Sequence, residues 1–161
     1  MFAPMPNAAQ LHLAFNHLPV AGLLFALGTA IAGVALKKAL VRRTGMALVL
    51  VSALTSIPAF LSGEPAEEFI EHKVSGFSEA LAHDHEEAAE AAFVVILLAG
   101  AAAAAALTGV WLKNAKFENI ATAATFIAGF IAATLMLRAA HMGGLIHHEE
   151  LRTVVVPTAE I

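Results

Sequence analysis

A chain of 161 residues that is 59% hydrophobic and only 14% charged lacks the polar surface of a water-soluble domain, which carries about 25% charged residues. Its length fits one domain, and its mean hydropathy is +0.77. With no cysteine, disulfides, iron–sulfur clusters, thiolate zinc sites and c-type haem attachment are excluded. The net charge of −4 is mild, but it is unevenly spread.

A membrane-spanning helix needs about 20 mostly apolar residues, and four runs qualify. The first 36 residues carry no Lys, Arg, Asp or Glu, and 18–36 is apolar apart from Gly and one Thr. The others are 44–62 with Pro58 near its end, 91–112 with an alanine block at 101–106, and 120–137, closed by Arg138. Runs of this length are not amphipathic surface helices, and no strand alternation is present. The predicted fold class is all-α: a four-transmembrane-helix bundle with spans at about 14–36, 44–62, 86–112 and 119–141. Nothing basic precedes the first run, and Lys37, Lys38, Arg42 and Arg43 follow it. That is a stop-transfer pattern rather than a cleaved signal peptide.

Those four cations fill the loop between spans one and two, and Lys113 and Lys116 the loop between three and four. The positive-inside rule makes both loops cytoplasmic, which leaves both termini and the acidic middle segment outside. That segment holds Glu64, Glu67, Glu68, Glu71, Glu79, Asp84, Glu86, Glu87 and Glu90 against Lys73 alone. Within it, Ala66, Phe69, Ile70, Val74, Phe77 and Leu81 recur at three- and four-residue steps, which predicts an amphipathic outer-surface helix over 64–79, broken at Gly76. Ser78 is placed to cap the extended third span, with Leu81 as its third residue. An outer tail over 143–161 is expected, with 154–156 strand-like before Pro157. No internal repeat stands out.

The chemistry rests on eight histidines: His12, His17, His72, His83, His85, His141, His147 and His148. With this topology all lie at the outer face. A lone interfacial histidine is usually a solvated or hydrogen-bonded side chain, and His72, in an exposed acidic stretch, is read that way. Three spans converging on one layer is a different signal, because imidazoles at facing helix ends are what a transition metal or a haem iron needs. Copper or zinc would draw on His12, His17, His83, His85, His141 and His147 with nearby acids, and Met5 and Met142 offer soft ligands for cuprous copper. Haem b needs two imidazoles from opposing helices, a slot and a cation for its propionates. His17, His85 and His141 sit on separate helices, and Arg138 lies one turn before His141. His147 or His148 would complete a second pair, so one or two haems b are the preferred cofactor. The Gly- and Ala-rich spans leave room for a macrocycle, although close helix packing is the commoner use of small residues.

The segment His12-Leu-Ala-Phe-Asn-His17-Leu-Pro19 resembles the HPxxVHFP signature of a bacterial four-span membrane-protein family, domain of unknown function 2231. The stretch from Leu81 through His85 to Ala88 is similar to that family's LxxHExxA motif, and the run from His141 through Gly143 and Gly144 to its HxGGxLVYxHG ending. The chain lacks the proline after the first histidine, has Leu18 in place of Phe, and is one residue short in the last motif. The resemblance implies the four-span topology and the histidine set, and points towards electron transfer beside respiratory complexes.

These readings favour a b-type cytochrome-like subunit that passes electrons to or from a membrane or periplasmic redox partner, with quinone a candidate. The alternatives are a histidine-based copper- or zinc-binding membrane protein, and a cofactor-free structural or pigment-ligating subunit. No nucleophile–base pair, phosphate loop or nucleic-acid-binding face is visible, and no charge lies at mid-span to mark an ion path. An accessory or electron-transfer subunit in the bacterial inner membrane is therefore expected rather than a stand-alone enzyme.

Overall fold

The computed structural model describes residues 7–71, 73, 76–148, 150 and 152, with the backbone alone at 147. Helix α1 (Ala8–Phe15) leads into α2 (His17–Ala35), followed by α3 (Ala39–Leu61), α4 (Gly63–Glu71), α5 (Glu79–Trp111) and α6 (Ala115–His147). Four stretches are long and apolar enough to cross a membrane: α1–α2, α3–α4, α5 and α6. The molecule is thus an all-α four-helix membrane bundle, and among the described residues there is no strand. The expected strand-like run at 154–156 lies outside the described residues.

Local chemistry explains the boundaries. Pro19 has no amide to give the carbonyl of Phe15, so the first span breaks at Asn16 into α1 and α2. Asn7 and Gln10 cap α1 reciprocally. Ser78 accepts from the Leu81 amide at the start of α5, as its position predicted. Helices α5 and α6 have 33 residues each, about 50 Å at 1.5 Å per residue. They therefore project well beyond a hydrocarbon core of about 30 Å. The acidic first turns of α5 lie on that projection. The predicted outer tail does not begin at Gly143: α6 runs on through Gly143 and Gly144 to His147. Arg152 holds this longer end by donating to the carbonyls of Leu145 (2.9 Å) and Ile146 (3.0 Å), and to Gly76 (2.9 Å) before α5.

The predicted amphipathic segment is the short helix α4, with Ala66 buried against the bundle. It packs chiefly on α1. The bundle core is built from small residues at close crossings, among them Ala26, Ala30, Ala53, Ala99 and Ala103, filled in by Leu23, Met46, Val49 and Ile96. Apolar side chains such as Phe25, Leu40, Trp111 and Ile127 point outwards, as lipid-facing surfaces require.

Helices α2 and α3 form one hairpin, and α5 and α6 another. The two turns are the same structure at an offset of 76 residues, the spacing of Arg42 and Glu118. Lys38 N donates to Gly33 O (2.8 Å) and Lys37 N to Val34 O (3.1 Å); Asn114 N donates to Gly109 O (2.9 Å) and Lys113 N to Val110 O (3.1 Å). Both are Schellman endings, with Lys37 and Lys113 each at φ 54°. A Cβ on Gly33 would strike the Arg42 amide, and one on Gly109 would stand 2.7 Å from the Glu118 amide. The repeat that the sequence did not suggest is legible there only as Gly33-Val-Ala-Leu-Lys-Lys-Ala39 against Gly109-Val-Trp-Leu-Lys-Asn-Ala115. Elsewhere the copies share little beyond apolarity.

At this basic end the hairpins are joined by Glu118, which is buried. It accepts from Arg42 Nη2 (2.6 Å) and, through both oxygens, from Arg43 Nε (3.0 Å) and Nη2 (3.1 Å). At the opposite end Phe60 and Phe93 stack with centroids 4.2 Å apart.

Candidate functional site

The described histidines all lie at the end opposite the basic turns, and the structure sorts them into two kinds. His12 and His85 are half-buried clips. His12 Nδ1 donates to the Ala59 carbonyl at 3.0 Å, with Ser62 Oγ at 3.4 Å. His85 Nδ1 donates to the Ala139 carbonyl at 2.9 Å. Each therefore ties the first helix of its hairpin to the second. The flanking glycines are matched too: a Cβ on Gly63 would meet the His12 ring at 3.7 Å, and one on Gly143 the His85 ring at 3.1 Å. A histidine whose Nδ1–H is held by a carbonyl presents a lone pair on Nε2, the arrangement seen for metal-bound imidazoles. The clip at His85 is thus compatible with the ligand role assigned from sequence.

His17 and His141 are exposed and make no hydrogen bond or ion pair among the described residues. They open α2 and lie near the end of α6. These two helices are neighbours, meeting where Gly129 faces Leu27. From that crossing His17 is ten residues along α2 and His141 twelve along α6, so both stand about 15–18 Å above it. Arg138, one turn before His141, is likewise exposed, and it is the one arginine with no hydrogen bond or ion pair among the described residues. His17, His141 and Arg138 are thus the residues on these adjoining helices that could hold a haem and its propionate.

The remaining predicted residues are less committed to a shared site. His83 is exposed, with Nε2 3.5 Å from Glu87 Oε1. His148 Nδ1 sits 2.8 Å from Glu150 Oε1; a hydrogen bond to its own backbone, and after it the one to His148, hold the Glu150 carboxyl below the usual carboxylate range. His147 ends α6 with its side chain outside the described residues; His72 and Met5 lie outside them altogether. Among the described residues, no three His, Asp or Glu side chains are grouped to hold one metal ion.

Two features escaped sequence reasoning. Asn16 Oδ1, at the break between α1 and α2, is buried with no hydrogen-bond partner, and a buried acceptor of this kind is costly to leave unpaired. The signal was available in Asn16 standing directly before His17 and three residues before Pro19. The second is α4: its first residue, Gly63, lies against the His12 ring, and Glu67 is within electrostatic range of Glu86 and His85. An apolar cleft of about 360 Å³ opens beside it, lined by Leu11, Phe15, Pro58, Leu61 and Pro65.

No family model, curated protein or solved structure matches this chain.

Proposed function

We propose that this protein is a b-type cytochrome-like subunit of the bacterial inner membrane, with haem b held at the outward ends of α2 and α6. His17 and His141 are the axial imidazoles and Arg138 sits beside a propionate. The observation that carries the reading is that these three side chains, on adjoining helices, are exposed and make no hydrogen bond or ion pair among the described residues. A second haem would use His85 with His147 or His148. Haem supplies the one-electron chemistry when bound; the chain supplies ligands, orientation and a low-dielectric wall. The likeness of the three histidine motifs to the four-span family supports the same reading.

The basic turns then face the cytoplasm, and the chain's ends and histidines face the periplasm. A redox group at the outward face alone suits exchange with a periplasmic or membrane partner, and does not carry electrons across the bilayer. The test is the absorbance spectrum of the purified protein. A reducible Soret and α-band, lost or turned high-spin by His17→Ala or His141→Ala and untouched by His72→Ala, is the expected result. A colourless protein holding copper or zinc overturns it in favour of a metal-binding role. A colourless, metal-free protein leaves a structural subunit.

A further inference from the structure

The two hairpins are more than alike at their turns. Positions 42 and 118 are equivalent, and so are 43 and 119, by the 76-residue offset that relates the turns. Across the bundle Arg42 binds Glu118, Arg43 binds Glu118, and Arg42 Nη1 approaches Asn119 Oδ1 at 3.5 Å. Position 42 therefore meets its own equivalent, and the two cross pairs, 42 with 119 and 43 with 118, are exchanged with one another by the same operation. This pattern arises where two copies are related by a two-fold axis along the membrane normal, as in other duplicated membrane proteins. Helix contacts agree: α3 packs on α5 and α2 on α6, a pattern that maps onto itself when the copies are exchanged. Ala53 and Gly129, also equivalent, each face the other hairpin, against Gly100 and Leu27.

A residue beside such an axis has a particular problem. Were the hairpin to pair with the same hairpin of another molecule, it would meet itself. Arg42 and Arg43 would confront a second Arg42 and Arg43 with no carboxylate, and Glu118 would confront a second Glu118 at a position that is buried. Like charges brought together in a poorly solvated interface reject the wrong partner. We infer that the chain is one helical hairpin present twice, and that the opposite charges of Arg42 and Glu118 at its axis make the copies pair with each other rather than with the same hairpin of a second chain. The remaining face of the pair is apolar, and would accept either partner.

The chain has no cysteine, so the stacked positions can report the pairing. Full-length protein carrying Phe60→Cys and Phe93→Cys is oxidised in membranes in three backgrounds. These are the natural charges, the full exchange of the two equivalent pairs (Arg42→Glu and Arg43→Asn with Glu118→Arg and Asn119→Arg), and the neutral set Arg42→Gln, Arg43→Asn and Glu118→Gln. The neutral set makes both copies read Gln-Asn at the axis. The natural and exchanged chains should give the intramolecular disulfide nearly completely. The neutral chain should lose a substantial part of it, while differently tagged neutral chains, co-expressed, should co-purify several-fold more than natural ones. An unchanged disulfide yield in the neutral chain overturns the sorting role. So does a loss of yield without added co-purification, which would mean that the ion pair only holds the fold. Failure of the exchanged chain to match the natural one would show that 42 and 118 are not equivalent.

Discussion

The ring of His85 is bonded to the backbone carbonyl of Ala139 at 2.9 Å, joining α5 to α6, just as His12 joins α1 to the Ala59 carbonyl of α3 at 3.0 Å. The spacings are 54 and 47 residues, a difference of about two helical turns. By the 76-residue offset His12 corresponds to position 88 and Ala59 to position 135, so the second clip stands about one turn further out on each helix.

These bonds separate fold from cofactor. Removing a clip deletes a part-buried hydrogen bond and leaves a carbonyl without it, at a cost of about 1–2 kcal/mol. His12→Ala and His85→Ala should therefore lower the thermal stability of the cofactor-free protein in detergent. His17→Ala and His141→Ala, exposed and without a hydrogen bond or ion pair among the described residues, should stay within about 0.5 kcal/mol of the parent. Equal losses at all four positions would refute the division into clips and uncommitted ligands.

The glycines at the turns give a second contrast. Gly33→Ala and Gly109→Ala each drive a methyl into the backbone of the opposing helix, which cannot swing aside as a side chain can. Each should cost about 1–3 kcal/mol. Gly28→Ala, with nothing within 4 Å of the new Cβ, should be neutral or stabilise the helix by up to about 1 kcal/mol. Unfolding midpoints of the three variants check the order.

What the sequence made legible follows from how each feature is encoded. The spans are written in long apolar runs, and the cap at Ser78 in a short polar signal, so both were readable. The repeat was not, because lipid-facing and packing positions accept almost any apolar or small residue. Only the turn, where backbone contact demands Gly33 and Gly109 and the Schellman ending puts Lys37 and Lys113 at positive φ, kept a common pattern. The histidines were readable as a layer but not as roles. Whether a ring serves as clip or ligand depends on which carbonyl lies opposite, and the sequence does not say that Ala139 faces His85.

The sidedness of the molecule is testable in the same cysteine-free chain. Single labels from Lys38→Cys, in the first basic turn, and Glu68→Cys, on α4 at the histidine end, should react with a membrane-impermeant thiol reagent from opposite faces. Lys38→Cys should react only in inverted vesicles and Glu68→Cys only in intact spheroplasts. Reaction of both from one side would break the four-span topology.

The last prediction concerns α4. Its Ala66 is buried at 6% exposure, its first residue Gly63 lies against the His12 ring, and Glu67, one turn on, is within electrostatic range of Glu86 and His85. This short helix thus lies over the His12 clip, with Ala66 turned into the bundle and Glu64 and Glu68 exposed. A cover of this kind excludes solvent from the groups beneath it, and water access is one of the factors that set the properties of a redox centre. Amides of α4 should therefore exchange slowly, in step with the ends of α1 and α5. Ala66→Glu, which forces a charge into the contact, should release α4 to fast exchange while leaving the mid-bundle amides around Ile96 protected. If haem is present, the same variant should also shift its midpoint potential, because the centre becomes wetter. Fast exchange of α4 in the natural protein would mean that the helix does not cover this end, and the His12 clip would then stand open to solvent without it.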